Sequence, residues 1–295
     1  MAVAAAAAAP PGAPPTVPPT RLRRAYTNTT TLTVPAKIGE KHSLEDVIAT
    51  FGTAGAYVDI AIGPSNMLRL YATKYDMYLI PPVSTVSEAM GPLEFLRRLT
   101  GRTELLYAEE DEDITLTFSS APTIAYLEYF VDPSTKDKTM PFGTQSKERL
   151  LITWATHSKT INATGNYSLD LALMPTGLPA VVDGFVVPAN YQYSLYGIIF
   201  ASTKAGSTKP TYLHIWDEGT ELFTPYDHRG LLIDPDNNSL KCDLRYRYYF
   251  KLPEPYVFGP GHKITLNFDA TYDGTNTIGA QSLLLGLIWI VTYLG

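Results

Sequence analysis

From Tyr26 to the C-terminus, short apolar or alternating runs are separated by turn residues, and this succession is the strongest constraint on the fold. Alternation at every second position over about four to eight residues is typical of a β-strand. Because strands that follow one another without intervening helices pair antiparallel, we expect an all-β jelly-roll barrel or sandwich. The predicted strands are residues 29–34, 56–62, 68–80, 114–119, 124–131, 149–156, 167–174, 181–187, 193–201, 211–216, 242–251, 263–270 and 282–294.

Two of these runs are especially informative. Every second residue from Cys242 to Phe250 is apolar or aromatic, and the residues between are mostly charged, which predicts a strand with one buried face. The run from Leu283 to Val291 is apolar throughout except for Gly286, and a membrane-spanning helix needs about 20 such residues. The second run is therefore predicted to be the central strand of a sheet that is covered on both faces.

Two short helices are expected to interrupt the strands. Residues 43–46 read Ser-Leu-Glu-Asp, which resembles a capping box that opens a helix ending near Phe51. The second helix is predicted from about Pro92 to Leu99, with Gly101 as its terminator.

The N-terminus has a different composition from the rest of the chain. Residues 1–20 are almost entirely alanine and proline, which offers little to bury and predicts a flexible arm over residues 1–25. Arg21, Arg23 and Arg24 follow this apolar run, whereas a secretory signal places its basic residues before it. The folded body is expected to span residues 26–295.

Charge is sparse and aromatic rings are abundant. Charged residues make up 18% of the chain and aromatic residues 12%, a balance that fits either a surface hidden against neighbouring proteins or a large all-β core. A net charge of −6 argues against a dedicated nucleic-acid-binding protein, and no sequence-specific nucleic acid is expected as a partner. Three glutamines beside 23 prolines are typical of heat-adapted chains.

No catalytic or cofactor motif is present in the sequence. The patterns G-x-S-x-G, G-x-x-x-x-G-K-[ST], G-x-G-x-x-G and H-E-x-x-H are all missing, so we expect no enzyme activity, no cofactor and no metal site. The only cysteine, Cys242, shares the apolar face of its predicted strand and is interpreted as a core residue. The histidines show no spacing that would direct two imidazoles at one metal; they are His42, His157, His214, His228 and His262.

Three further features leave alternatives open. Residues 234–238 begin like a calcium loop, but Ser239 stands where glycine is required, so a turn is the preferred interpretation. The acidic run 109–113 is either a solvated loop or a divalent-cation site at a subunit junction. Aromatic residues on strands form either core and interface contacts or a sugar-stacking platform; they are Tyr126, Tyr129, Trp154, Tyr193, Tyr196, Trp216, Tyr248 and Tyr249.

The alanine- and proline-rich arm ending in RLRR, the helix-poor β body, the sparse charge and the missing catalytic motifs together resemble a viral capsid protein. More narrowly, the chain resembles the large, turreted jelly-roll major capsid protein of tailless, membrane-containing icosahedral bacteriophages of Thermus. That family builds its shells from upright single jelly rolls, and its taller subunit carries a second small β-barrel or turret. The resemblance is one of architecture over the whole chain and carries no short signature motif.

The resemblance implies a location in the virion and an arm that faces inward. Arg21, Arg23 and Arg24 would lie near an internal viral membrane or the genome, and the partners would be copies of the chain and a companion capsid protein. Eight strands complete a jelly roll, so the surplus strands are placed in an added small β subdomain, inserted at about residues 158–240. The predicted function is a major capsid subunit that self-assembles or co-assembles into an icosahedral shell. The alternative is a β-sandwich protein that binds a carbohydrate or a receptor.

Overall fold

The computed structural model describes residues 21–51, 56–73, 76–77, 93, 96–97, 100–101, 106–134, 148–173, 181–223, 231–234, 239–240 and 249–295. The strands of the first half are β1 (Arg21–Thr27), β2 (Thr31–Val34), β3 (Glu40–Thr50), β4 (Tyr57–Ile62), β5 (Ser65–Thr73), β6 (Asp76–Met77), β7 (Tyr107–Ala108), β8 (Ile114–Phe118) and β9 (Ile124–Pro133). Those of the second half are β10 (Glu148–Thr156), β11 (Gly165–Ser168), β12 (Leu171–Ala172), β13 (Phe185–Val186), β14 (Tyr191–Ser202), β15 (Lys209–Asp217), β16 (Thr220–Glu221), β17 (Leu231–Asp234), β18 (Ser239–Leu240), β19 (Tyr249–Phe258), β20 (Lys263–Thr271) and β21 (Leu283–Tyr293).

The first half of the chain forms a jelly roll. Its strands run antiparallel in the order β1-β9-β3-β6 in one layer and β5-β4-β8-β2 in the other, and β5 pairs with β6 where the layers join. The strands alternate because one face of each layer is buried: in β8, for example, Ile114, Leu116 and Phe118 point inward. Residues 21–134 therefore enclose an apolar core of their own.

The second half repeats this topology with a new set of strands. One layer has the order β10-β21-β14-β19, and the other has β11-β20-β15-β17. β10, β11, β14, β15, β17, β19, β20 and β21 thus occupy the positions of β1, β2, β3, β4, β5, β6, β8 and β9. Among the described residues, four short strands add to these layers: β12 pairs with β10, β13 with β20, β16 with β15 and β18 with β17. Residues 148–293 are a second complete jelly roll.

The predicted all-β, antiparallel jelly-roll class is confirmed, but the surplus strands are arranged differently from the expectation. They complete a second jelly roll and not a small subdomain, because β10 and β21, outside the proposed insertion at 158–240, pair with each other, and β21 also pairs with β14 inside it. Pairing between positions more than 100 residues apart leaves no local trace in the sequence. The single jelly roll implied by the resemblance is likewise replaced by two in tandem.

The prediction of a doubly covered central strand is confirmed for β21. Leu285, Leu287 and Trp289 point into the core of the second jelly roll, whereas Ile288 and Ile290 join the core of the first. Both faces of this strand are therefore buried, which explains its continuous apolar sequence.

The first predicted helix is wrong, because residues 43–51 lie in or just after strand β3. The alternation of β3 is interrupted by a bulge between Leu44 and Asp46, so that the buried residues fall at Leu44 and Val47, a helix-like spacing. The second helix is present at the described positions: residues 93, 96, 97 and 100 are helical, and Gly101 ends the helix with a φ of 68°.

The sheet begins earlier than the predicted boundary of the arm. Residues 21–25 belong to β1, which pairs with β9 over its full length, whereas residues 1–20 lie outside the described residues. Most of the Cys242–Lys251 run also lies outside them, and β19 is described from Tyr249 onward. In the described part of the chain, no helix is long and apolar enough to cross a membrane.

Candidate assembly surface

The outward side of the layer β1-β9-β3 carries exposed apolar residues that are aligned in rows across the three strands. Directly opposed residues in antiparallel strands point to the same face, and the register aligns Tyr26 with Tyr126 and Tyr126 with Ile48. We call this side the first outer face. Its outward residues are Leu22, Arg24, Tyr26, Ser43, Asp46, Ile48, Thr50, Ile124, Tyr126, Glu128 and Phe130.

The apolar residues of the first outer face are open to solvent. Tyr26 is 61% exposed, Ile124 52%, Leu22 46% and Ile48 38%. The rings of Tyr26 and Tyr126 lie 6.1 Å apart at a tilt of 42°. Single exposed apolar residues are ordinary on a protein surface, but neighbouring ones that share one sheet face are typical of contact surfaces.

A polar row crosses the same face between the apolar rows. Arg24 Nε donates to Glu128 Oε1 at 2.6 Å, and this carboxylate raises the pKa of the Arg24 guanidinium. Asp46 is the next residue across the sheet, paired with Glu128 in the register. Burial raises the pKa of Asp46 to about 6, although the backbone N–H groups of Val47 and Leu93 donate to its carboxylate and the charge of Arg97 opposes the shift.

The three arginines singled out in the sequence all lie on β1, and the strand divides them. Arg24 belongs to the first outer face, whereas Arg21 and Arg23 point to the opposite side because side chains alternate along a strand. A guanidinium nitrogen of Arg23 lies 3.9 Å from Glu40 Oε1. Their contact with a membrane or genome stays a prediction.

The acidic run 109–113 is built into the fold of the first jelly roll. Asp113 and Glu110 accept hydrogen bonds from the backbone N–H groups of residues 36 and 39, at 2.5 and 2.7 Å. Glu109 is 1% exposed and accepts from Ser134, and Glu112 forms an ion pair with Arg149 of the second jelly roll. These four carboxylates therefore anchor a loop and the start of β10. Of the possible calcium loop, positions 235–238 lie outside the described residues.

The aromatic residues considered for a sugar platform are dispersed over the molecule. Tyr129, Trp154 and Tyr193 are buried, and Tyr196 packs against the first core. Tyr126 lies on the first outer face and Trp216 on the outward side of β15 in the second jelly roll. Tyr248 and the side chain of Tyr249 lie outside the described residues. Among those described, the aromatic residues do not gather on one solvent face.

Each described histidine contacts a neighbouring carboxylate, carbonyl or hydroxyl group and thereby links parts of the fold. His214 lies between Glu221 and Asp269, His42 beside Glu40 and His262 beside Asp217. Other groups hold His157, whose ring contacts the Lys159 carbonyl and Ser282 and whose pKa is lowered by burial. His228 and Cys242 lie outside the described residues, and in the described ranges no group of three or more His, Cys, Asp or Glu is placed to hold a metal ion.

The two jelly rolls meet through a buried contact at β5 and β10. Asp59 and Arg69, 7% exposed each, form a bidentate ion pair at 2.6 and 2.8 Å on the outward side of β4 and β5. Arg69 also donates to the Leu173 carbonyl and lies over the Tyr57 ring, while Trp154 Nε1 donates to the Arg69 carbonyl at 2.9 Å. The outward residues of β10, β14 and β21 that join the first core are Leu150, Ile152, Trp154, Ile199, Ile288 and Ile290.

Sequence reasoning missed the first outer face because β3 resembled a helix. Ile48 and Asp46 acquire their common face with Tyr126 only when residues 40–50 are extended and paired with β9. The alternation of His42 with Leu44 and of Val47 with Ala49, separated by one extra residue, is the signal that would have identified a bulged strand.

No protein-family model matches this chain, and no curated protein matches it either. Two solved structures are similar to it. The major capsid protein P2 from bacteriophage PM2 has 10% sequence identity and a TM-score of 0.41, with 92% of this chain and 98% of that chain covered. A structure of the infectious bursal disease virus Gt strain has 11% identity and a TM-score of 0.22, with 94% of this chain and 73% of that chain covered.

Proposed function

We propose that this protein is a major capsid subunit, a structural virion protein that assembles with copies of itself or with a companion capsid protein into an icosahedral shell. The observation that carries the proposal is the first outer face. The rows at Tyr26, Ile48 and Ile124 are exposed and belong to neither of the two apolar cores. An exposed apolar sheet face outside the core is typical of a surface that is buried in an assembly.

The polar side chains also support a structural role over an enzymatic one. Glu109, Glu110, Glu112 and Asp113 fix loops, and the described histidines bind neighbouring groups of the fold. The sparse charge of the chain permits close lateral packing of many copies, whose individually weak contacts add up in a lattice. In this role the N-terminal segment, with Arg21 and Arg23 of β1, would contact an internal membrane or the genome, whereas Arg24 lies on the first outer face.

Electron microscopy of concentrated protein, with and without added ions, tests the proposal directly. We expect ordered arrays or shells. A substitution in the apolar rows, Ile124→Glu, should raise the concentration needed for assembly by tenfold or more, because about 1.4 kcal/mol of contact energy corresponds to a factor of ten. Its matched control is Ile38→Glu, since Ile38 is 90% exposed in the turn before β3 and lies off the first outer face.

Two outcomes would contradict the proposal. One is a wild-type protein that stays monomeric at every concentration and in every ionic condition. The other is an Ile124→Glu variant that keeps its thermal unfolding temperature and assembles as readily as the wild type and the Ile38→Glu control.

A further inference from the structure

The chain contains one complete example of how its jelly rolls pack against each other. The outward side of β10-β21-β14, in the second jelly roll, is buried against the first jelly roll beside β4 and β5. The surface that receives it carries the opposed pair Asp59 and Arg69. This contact joins two different faces, one from each type of layer.

Both surfaces have counterparts elsewhere in the molecule, because the strand order is repeated. The counterpart of the β10-β21-β14 side is the first outer face, on β1-β9-β3. The counterpart of the Asp59–Arg69 pair lies on β15 and β17, where Tyr212 is opposed to Leu232. These counterparts are not buried as the first two are: Leu232 is 39% exposed and Ile48 38%.

Both exposed counterparts carry apolar or aromatic side chains. Where the internal contact uses an ion pair beneath apolar residues, the outward side of β15 and β17 offers an aromatic and an aliphatic side chain. Tyr26, Tyr126 and Ile48 form a complementary apolar surface on the first outer face. Apolar side chains from both surfaces would leave water together, at roughly 25 cal/mol per Å² of buried area.

We infer that the first outer face of one copy packs against the β15–β17 side of the second jelly roll of another copy, repeating between chains the contact that joins the jelly rolls within a chain. The inference rests on the proposed function and names the partner of its assembly surface. Since the two surfaces differ, the contact is head-to-tail: each copy keeps one free surface, and the pair as a whole keeps one of each kind. Such contacts close into rings when the rotation between copies permits and extend into filaments when it does not.

Cysteine cross-linking distinguishes this arrangement from a symmetric one. The background is Cys242→Ser, which removes the only native thiol. One protein carries Ile48→Cys, and a second, of different mass through a tag, carries Leu232→Cys. Under assembly conditions, a short bismaleimide should link the two proteins at least tenfold more efficiently than it links either protein to itself. Ile38→Cys, mixed with Leu232→Cys, is the control for random collision.

A second pair of cysteine substitutions keeps the test valid if Ile48→Cys or Leu232→Cys folds poorly. Tyr126→Cys and Tyr212→Cys lie on the same two surfaces and should give the same heterologous product. Thermal unfolding of each variant checks its fold before cross-linking.

The outcomes separate this inference from the proposed function. Predominant self-linking of the Ile48→Cys protein would overturn the head-to-tail contact in favour of a symmetric one. Particles that form without linking either pair would also overturn it, while leaving the capsid role intact. If no particles form under any condition, the proposed function fails and the inference fails with it.

Discussion

Asp46 is the residue at which the first outer face is most sensitive to pH. Its carboxyl group is paired across the sheet with Glu128, and Glu45 precedes it in the chain, so two other acids lie near it. Burial is the largest influence and disfavours the charged form, whereas Arg97 and two backbone N–H groups favour it. The result is a carboxylate that titrates well above its ordinary range.

From the raised pKa of Asp46 we expect the stability of the folded protein to depend on pH. Because the pKa of Asp46 rises from its ordinary value of 3.8 to about 6 in the folded protein, the folded state binds the proton more tightly than the unfolded chain does. The stabilisation is complete below about pH 4 and is lost as the pH rises through about 6. The Asp46→Asn variant keeps the oxygen acceptor for Val47 N–H and should be more stable than the wild type at pH 7.5 by roughly 1–2 kcal/mol.

Chemical denaturation between pH 4 and pH 8 measures this effect. Glu254→Gln, an exposed substitution on β19, is the control and should leave the pH profile unchanged. A profile for Asp46→Asn that runs parallel to the wild-type profile would show that the carboxyl group does not carry the pH dependence.

At the scale of elements, β10 and β21 depend on a close approach that only glycine allows. Gly286 of β21 is opposed to Trp154 of β10, and a Cβ added at Gly286 would lie 2.8 Å from the indole ring. The indole in turn donates to the Arg69 carbonyl, so the position of this ring joins the two jelly rolls. The absence of a side chain in the middle of an apolar strand therefore has a packing reason.

The substitution Gly286→Ala should lower the free energy of unfolding by about 1–3 kcal/mol, because the buried indole has to move. Gly279→Ala is the matched control, since an added Cβ there meets nothing within 4 Å. Differential scanning calorimetry of the two variants checks the difference. Equal unfolding temperatures for both would mean that the indole adjusts without cost.

A comparison of individual strands shows which elements could be predicted from the sequence. The runs at β8, β9 and β20 predicted strands that the structure contains, and the uninterrupted apolar run of β21 predicted a strand covered on both sides. The bulge in β3 concealed a strand because a single extra residue shifts the alternation into a helix-like spacing. The Tyr26–Tyr126–Ile48 row combines three strands, and the register of distant strands is a tertiary property.

On the scale of the whole molecule, β1 is the strand that directly follows the predicted arm. β1 is an edge strand of its layer and covers β9 from Arg21 to Thr27. A deletion of residues 1–20 should keep the unfolding temperature of the full chain and weaken assembly, in line with the proposed role of the arm. A deletion of residues 1–27 removes β1, exposes the edge of β9 and should lower the unfolding temperature by several degrees.

Thermal unfolding and assembly measurements on both truncated proteins distinguish these effects. If the deletion of residues 1–20 assembles like the full chain, the arm has no part in assembly. If the two deletions unfold at the same temperature, β1 contributes nothing to the stability of the first jelly roll.

The repetition of the jelly roll within one polypeptide fixes the ratio in which the two jelly rolls are produced. Two building units translated as one molecule are always made in equal numbers, and neither has to find the other by diffusion. The Trp154–Arg69 contact thus forms at the high effective concentration of a tethered pair, and each event that adds a chain to a growing structure delivers two units already oriented with respect to each other.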